Sequence, residues 1–171
     1  SMRPRMRLLI EIDSSVAALG ERLQAERINV ALYVAGAYSK DGATREPSED
    51  EFDRVMHTNV LGPMRVLMQL EDSLAPGARV AVLSSRMGSI GLRTDTSGWL
   101  YRASKAAVNS VLKDASIALA GRAICVALHP GWVRTDMGGP GGKLTPAESV
   151  RALRSLIDAI KLEDAGRFFN Y

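Results

Sequence analysis

Tyr101 and Lys105 stand four residues apart in the segment Tyr101-Arg-Ala-Ser-Lys105. On a helix those two positions share a face, so a phenol and an ammonium would stand together. A free tyrosine holds its proton until about pH 10, and a nearby cation favours the phenolate and lowers that value. A tyrosine tuned in this way can pass a proton to or from an oxygen near neutral pH. Taken alone the pair is weak evidence, because an unrelated Tyr and Lys can share one helix turn on any surface. Its weight depends on what the rest of the chain brings to the same place.

The elements that must position the pair alternate in type. Leu8–Ile12 reads as a short strand, and Asp13-Ser14-Ser15 caps a helix through about Glu26. Asn29 to Ala35 is a nearly continuous apolar run ending at Gly36, the pattern of a strand buried on both faces. Ser48 starts a second helix, with Glu51 placed for a capping box, and its apolar positions carry it to about Leu74 with a possible kink at Pro63. Arg79 to Leu83 is the next strand, ending in Ser84-Ser85. A polar, glycine-bearing loop then leads to a helix over about Leu100 to Ala120. Ala123 to Leu128 is a further strand closed by His129-Pro130-Gly131. After a glycine-rich loop, Thr145 caps a helix to about Ile160, and residues 167–169 form a last short strand. Strand–helix alternation with solidly apolar strands predicts an α/β fold around a parallel sheet. In such sheets chemistry sits at the carboxyl ends of the strands. Gly36, Ser85 and Pro130-Gly131 fall there, Tyr101 and Lys105 follow Ser85, and Asn59 lies in the preceding helix.

Composition narrows the function class. The chain has 171 residues, 46% hydrophobic and 24% charged, enough for one domain with a real core. No apolar run approaches the length of a membrane-spanning helix, so no membrane role is expected. The net charge is only +3, and Arg3, Arg5 and Arg7 read as a solvated start rather than a nucleic-acid contact. Residues 1–7 are taken as a tag-like, disordered start and 8–171 as one domain. The single cysteine, Cys125, lies in an apolar run, so the expected setting is reducing and cytoplasmic. His57 and His129 are read as structural, and no cluster has metal-ligand spacing, so no metal is expected.

Together these segments resemble the short-chain dehydrogenases/reductases. Asn29-Val-Ala-Leu-Tyr-Val-Ala-Gly36 is similar to that family's Asp-x-Leu-x-Asn-Asn-Ala-Gly segment, and His57-Thr-Asn59-Val-Leu-Gly-Pro63 to its Asn-Val-x-Gly-Pro. Ser84-Ser85-Arg-Met-Gly88 resembles its Ser-Ser-x-x-Gly, Tyr101 to Lys105 its Tyr-x-x-x-Lys, and Pro130-Gly131-Trp-Val-Arg-Thr135 its Pro-Gly-x-x-x-Thr. The finer pattern resembles the C-factor/sniffer-like carbonyl reductase subgroup. The resemblance implies a Rossmann-like doubly wound parallel sheet, a nicotinamide cofactor (NAD or NADP), a small carbonyl or alcohol substrate, and a homo-oligomer, dimer or tetramer. It implies that Tyr101 is the general acid/base and that Lys105 depresses its pKa and binds the nicotinamide ribose. Ser85 would hold the substrate oxygen and Asn59 would order a water beside Lys105. Ala35 and Gly36 would let the cofactor approach the backbone. Asp13 and Ser14 would lie near adenine, and Pro130, Gly131, Val133 and Thr135 near the nicotinamide amide and the phosphates. Each also has a plain structural role open to it: Ser85 ending a strand, Asn59 satisfying local backbone, Thr135 starting a turn, Gly36 and Gly131 terminating strands. Trp132 and Met137 suit a core edge as well as a substrate pocket.

The chain also departs from the family pattern. No Thr-Gly-x-x-x-Gly-x-Gly turn precedes Gly20, and Tyr33 and Val34 stand where the family has paired asparagines. The sheet is therefore expected to be N-terminally truncated relative to the family order 3-2-1-4-5-6-7. That leaves an open edge on the Asn29–Ala35 strand, to be covered by Leu8–Ile12 or by another subunit. A chain that is part of a longer protein is the third possibility. Two functions follow: an NAD(P)-dependent oxidoreductase, or a catalytically inactive homologue acting as a binding or assembly module.

Overall fold

The computed structural model describes residues 13–171. Four parallel strands, β1 (Ile28–Tyr33), β2 (Leu74–Leu83), β3 (Ala123–His129) and β4 (Phe168–Asn170), form one sheet in the order β1-β2-β3-β4. The helices are α1 (Asp13–Leu23), α2 (Glu49–Met56), α3 (Gly62–Leu70), α4 (Trp99–Ala118) and α5 (Pro146–Ala159). The α/β fold with a parallel sheet is as the alternation predicts. No helix of the described residues is long and apolar enough to cross a membrane.

Strand side chains alternate between the two faces, so each face has its own core. Val80, Val82, Cys125 and Ala127 meet α1, α3 and α4 through Val16, Leu19, Val66, Leu67, Val108 and Leu112. On the opposite face Ala81, Ile124, Val126 and Leu128 meet Leu153, Ile157 and Ile160 of α5 and its exit. The β2–α4–β3 and β3–α5–β4 crossovers advance in the same direction across the sheet, yet their helices lie on opposite faces. They are therefore opposite in hand, against a strong general preference for right-handed connections.

Three expectations need correction. The strand over Asn29–Ala35 is not buried on both faces: Val30, Leu32 and Val34 are 47%, 41% and 60% exposed. Alternation gives Ala31, Tyr33 and Ala35 to the helix-covered face, and on the other face the α5 cluster takes in residues of β2, β3 and β4 but none of β1. The edge of β1 away from β2 has no partner among the described residues. The Leu8–Ile12 strand and its pairing with that edge lie outside them.

Second, the helix over residues 48–74 is interrupted. A π turn, His57–Leu61, separates α2 from α3, and a 3₁₀ turn at Glu71–Ser73 ends the run. Pro63 has no N–H to give the carbonyl four residues back, which is that of Asn59, and its ring crowds the same carbonyl. The π register absorbs the conflict upstream of the proline, with Gly62 N–H bonded to His57 O. Third, α1 ends at Leu23 rather than near Glu26, in a turn closed by Glu26 N–H on Leu23 O at 2.8 Å. Ser48 caps α2 by accepting from Glu51 N–H at 3.2 Å, whereas Thr145 and Glu148 form the complete reciprocal box on α5.

Candidate active site

The strand ends converge because all four strands run the same way. Ser84 continues β2, with its N–H on Leu128 O at 2.8 Å and its hydroxyl on Asn109 Oδ1 at 2.6 Å. Ser85 then caps the 3₁₀ turn Arg86–Gly88, its Oγ accepting from Met87 N–H at 3.1 Å. Gly88 presses this turn onto α4: a Cβ there would stand 2.8 Å from the Lys105 carbonyl carbon. Any side chain at residue 88 would push Ser85 away from the helix that carries Tyr101 and Lys105.

Along α4, Tyr101, Ser104, Lys105, Val108 and Leu112 form the buried face, at the spacing of a helix packed on a sheet. Lys105 is 4% exposed and its Nζ donates to Leu83 O at 2.9 Å. The same nitrogen lies 5.6 Å from the centre of the Tyr101 ring, a cation–π distance. Tyr38, on the loop after β1, meets Tyr101 edge to face with ring centres 4.9 Å apart.

Asn59, in the π turn, is 1% exposed and joins three elements. Its Oδ1 accepts from Ala37 N–H, and its Nδ2 donates to Ala37 O and to Ser104 Oγ, each at 2.8 Å. Ser104 Oγ passes the connection on by donating to Tyr101 O at 2.8 Å. Gly36 faces this group: a Cβ there would lie 3.6 Å from both Asn59 Oδ1 and Lys105 Nζ. Where the family pattern has asparagines, the buried Tyr33 hydroxyl donates to Thr58 O at 2.8 Å and ties β1 to the π turn directly.

The electrostatics overturn one expectation. Tyr101 is not lowered toward neutrality by Lys105 in this chain. Burial raises its pKa, a hydrogen bond with Ser85 opposes that rise, and Tyr38 adds to it. Lys105 is instead itself lowered to about 8, because burial penalises the ammonium. Desolvation is the leading cause for both groups. His129, at the end of β3, is lowered to about 4 by burial and by Arg86, so it is neutral at pH 7, and its Nδ1 has no partner. The Cys125 thiol is buried and raised to about 11, which makes it unreactive.

Tyr101, Lys105, Ser85, Asn59 and Gly36 are thus brought together, with Ala35 packed against the adjoining core. The loop after β3 is built separately. Pro130 O accepts from Ser149 Oγ at 2.7 Å, and Gly131 has φ 84°, where a Cβ would meet Leu144 and the Tyr171 ring. Val133 bridges to Leu144, and Thr135 Oγ1 accepts from Gly138 N–H at 3.1 Å. The hydroxyl of Thr135 therefore serves its own turn, and the contacts of Val133 and Thr135 stay within that loop. Trp132 is exposed, with Nε1 donating to Gly138 O at 2.7 Å. Asp13 and Ser14 open α1, and their side chains lie outside what is described. Sequence reasoning missed Ser104 and Tyr38, and it named Gly88 as a motif residue without giving it a role. Ser104 was detectable, since three residues after Tyr101 it shares the buried helix face.

A family model described as enoyl-(acyl carrier protein) reductase matches residues 10–167. The C-signal protein of Myxococcus xanthus is 45% identical over 121 residues, covering 69% of this chain and 73% of that protein. A Burkholderia multivorans structure titled as a short-chain dehydrogenase/reductase with bound NADP superimposes with a TM-score of 0.84 at 32% identity, covering 96% of this chain and 72% of its own. The carbonyl reductase Sniffer of D. melanogaster gives a TM-score of 0.84 at 27% identity over 97% of this chain and 74% of its own. The shared fold, the matched segments and the grouping of Tyr101, Lys105, Ser85 and Asn59 agree, and the chain belongs to the short-chain dehydrogenase/reductase family.

Proposed function

We propose that this chain is an NAD(P)-dependent oxidoreductase that interconverts a small carbonyl compound and its alcohol. The observation that carries the proposal is the buried convergence of Tyr101, Ser85 and Lys105 at the carboxyl edge of the sheet. A Burkholderia relative binds NADP, and Sniffer is a carbonyl reductase. The residues present suit the nicotinamide end of a dinucleotide. Gly36 leaves open the space that a side chain would fill between Asn59 and Lys105, and Lys105 Nζ supplies donors there. Ala35, Pro130 and Gly131 would flank the same group, with Asp13, Ser14, Val133 and Thr135 farther along it. When bound, the dinucleotide supplies or accepts the hydride.

In the reducing direction Tyr101 gives the carbonyl oxygen its proton from Oη. Ser85 donates a hydrogen bond to that oxygen as charge develops on it. Lys105 offsets the negative charge left on the phenol and orients the ribose. Burial that holds the phenol protonated suits a general acid. The Asn59 side chain is fully engaged, but Pro63 denies its carbonyl the usual helical donor. That carbonyl is the atom we assign to a water that returns a proton to the Lys105 side.

The test pairs binding with turnover. NADH and NADPH are titrated in thermal unfolding, where a dinucleotide at 100 times its Kd adds about 2.7 kcal/mol of stability. NADPH oxidation is then followed with 4-nitrobenzaldehyde for wild type and Tyr101→Phe. The variant should lose about 10²- to 10⁴-fold in kcat and still bind NADPH. No shift with either dinucleotide would reject the enzyme reading in favour of a non-catalytic binding or assembly module.

A further inference from the structure

The first turn of α4 carries Tyr101, yet no local side chain starts that turn. Its N-cap position is Gly98, left-handed at φ 63° and without a side chain to accept from the helix amides. Helices ordinarily start on a Ser, Thr, Asp or Asn whose oxygen does so. Here the opening turn is held from outside. Gly98 N–H donates to Lys40 O at 3.1 Å and Trp99 N–H to Asp41 O at 3.2 Å.

From the other side Arg102 reaches back over the entry to the helix. Its Nε donates to Ser97 O at 2.7 Å, and Nη2 donates to both carboxylate oxygens of Asp95 at 2.8 Å. Asp95 also accepts from Ser97 N–H at 2.9 Å and from the Ser97 hydroxyl. Arg102 is 7% exposed, whereas the Asp95 carboxylate is half exposed. A buried cation persists only where its donors are satisfied, so this small closed network is a built feature of the helix start.

We propose that Arg102 is a positioning residue: by clamping Asp95 and Ser97 to the opening turn of α4, it fixes the Tyr101 hydroxyl relative to Ser85 and Lys105. The inference rests on Tyr101 acting as the acid/base. Tyr101 and Arg102 are consecutive, so the backbone that the clamp holds is that of Tyr101. Lys105 lies one turn further in and has its own anchor on Leu83 O. Releasing the clamp therefore moves the tyrosine and leaves the lysine in place. Proton transfer should suffer, and dinucleotide binding should not.

The variants are Arg102→Gln, Arg102→Lys and Asp95→Asn, with Arg122→Gln as the control. Arg122 pairs with Glu71 at 2.8 Å outside the site. With NADPH and 4-nitrobenzaldehyde, Arg102→Gln should lower kcat by about 10- to 100-fold while KM for NADPH stays within roughly 2-fold, because small misplacements of a reacting group cost that much. Arg102→Lys should recover part of the loss, Asp95→Asn should show a smaller loss, and the double variant Asp95→Asn/Arg102→Gln should be no worse than Arg102→Gln. Amide exchange should quicken at residues 99–103 and stay unchanged at 106–112. Loss confined to KM, equal loss in Arg122→Gln, or unchanged exchange at 99–103 would each overturn the proposal. If wild type does not oxidise NADPH, the enzyme reading fails and amide exchange alone decides the clamp. If Arg102→Gln does not fold, Asp95→Asn, altered at an exposed carboxylate, tests the same clamp by the same two measurements.

Discussion

On one face of the sheet α1, α3 and α4 cover β1, β2 and β3, while on the other α5 covers β2 and β3 and leaves Val30 and Leu32 of β1, and Val34 just after it, in solvent. Tyr101, Lys105 and Asn59 all belong to elements on the first face. Asn59 is anchored to Ala37 and Ser104, Lys105 to Leu83 O, and the Tyr101 hydroxyl to Ser85. The difference teaches where this fold can hold chemistry. A buried lysine and a buried phenol keep one geometry only where packing and hydrogen bonds leave them no other. The same burial sets their pKa values, in the direction opposite to a simple pairing of charges.

Stability measurements can break this contrast. The largest effect is expected at Leu128, which is fully buried against α5: Leu128→Ala should cost roughly 2–5 kcal/mol in denaturant unfolding. Next comes Lys105, whose pKa is about 8 in the fold against an ordinary 10.5. The folded value lies below the unfolded one, so the unfolded chain holds the proton more tightly. Stability then rises as pH climbs from 8 toward 10.5, and below 8 the charge costs the fold about 3 kcal/mol. Lys105→Met should be more stable than wild type at pH 7 by about 2 kcal/mol, after loss of the Leu83 hydrogen bond, and inactive. That advantage should vanish by about pH 10.5, and a pH-independent difference would contradict the assignment. The smallest effect is expected on the open face, where Leu32→Ala should change stability by less than about 0.5 kcal/mol. A cost near that of Leu128→Ala would mean that this face is covered in solution.

Much of the site was legible in the residues. Tyr101 and Lys105 follow from helical spacing, and Gly36, Ser85 and Pro130 from the punctuation that ends apolar runs. What escaped has physical reasons. The run from Asn29 to Ala35 shows that its residues are apolar, but not what lies over each face. Pro63 marks an irregular helix, yet the break falls four residues earlier because the missing donor belongs to the carbonyl of Asn59. The spacing of Tyr101 and Lys105 carries their charge chemistry but not their desolvation, which the whole fold imposes. The partnership of Arg102 with Asp95 crosses a helix start, where no periodicity connects the two positions.

The opposite hands of the two crossovers bear on the order in which the molecule assembles. A strand–helix–strand unit of the favoured hand can close locally as its helix packs. The β1–α3–β2 and β2–α4–β3 crossovers share one hand, and β3–α5–β4 alone has the other. We infer that the segment from Pro130 onward docks after β2 and β3 have paired, so the Pro130–Thr145 loop is the last side of the site to close. Pulse-labelled amide exchange would show β3 protected before α5, and simultaneous protection would refute that order.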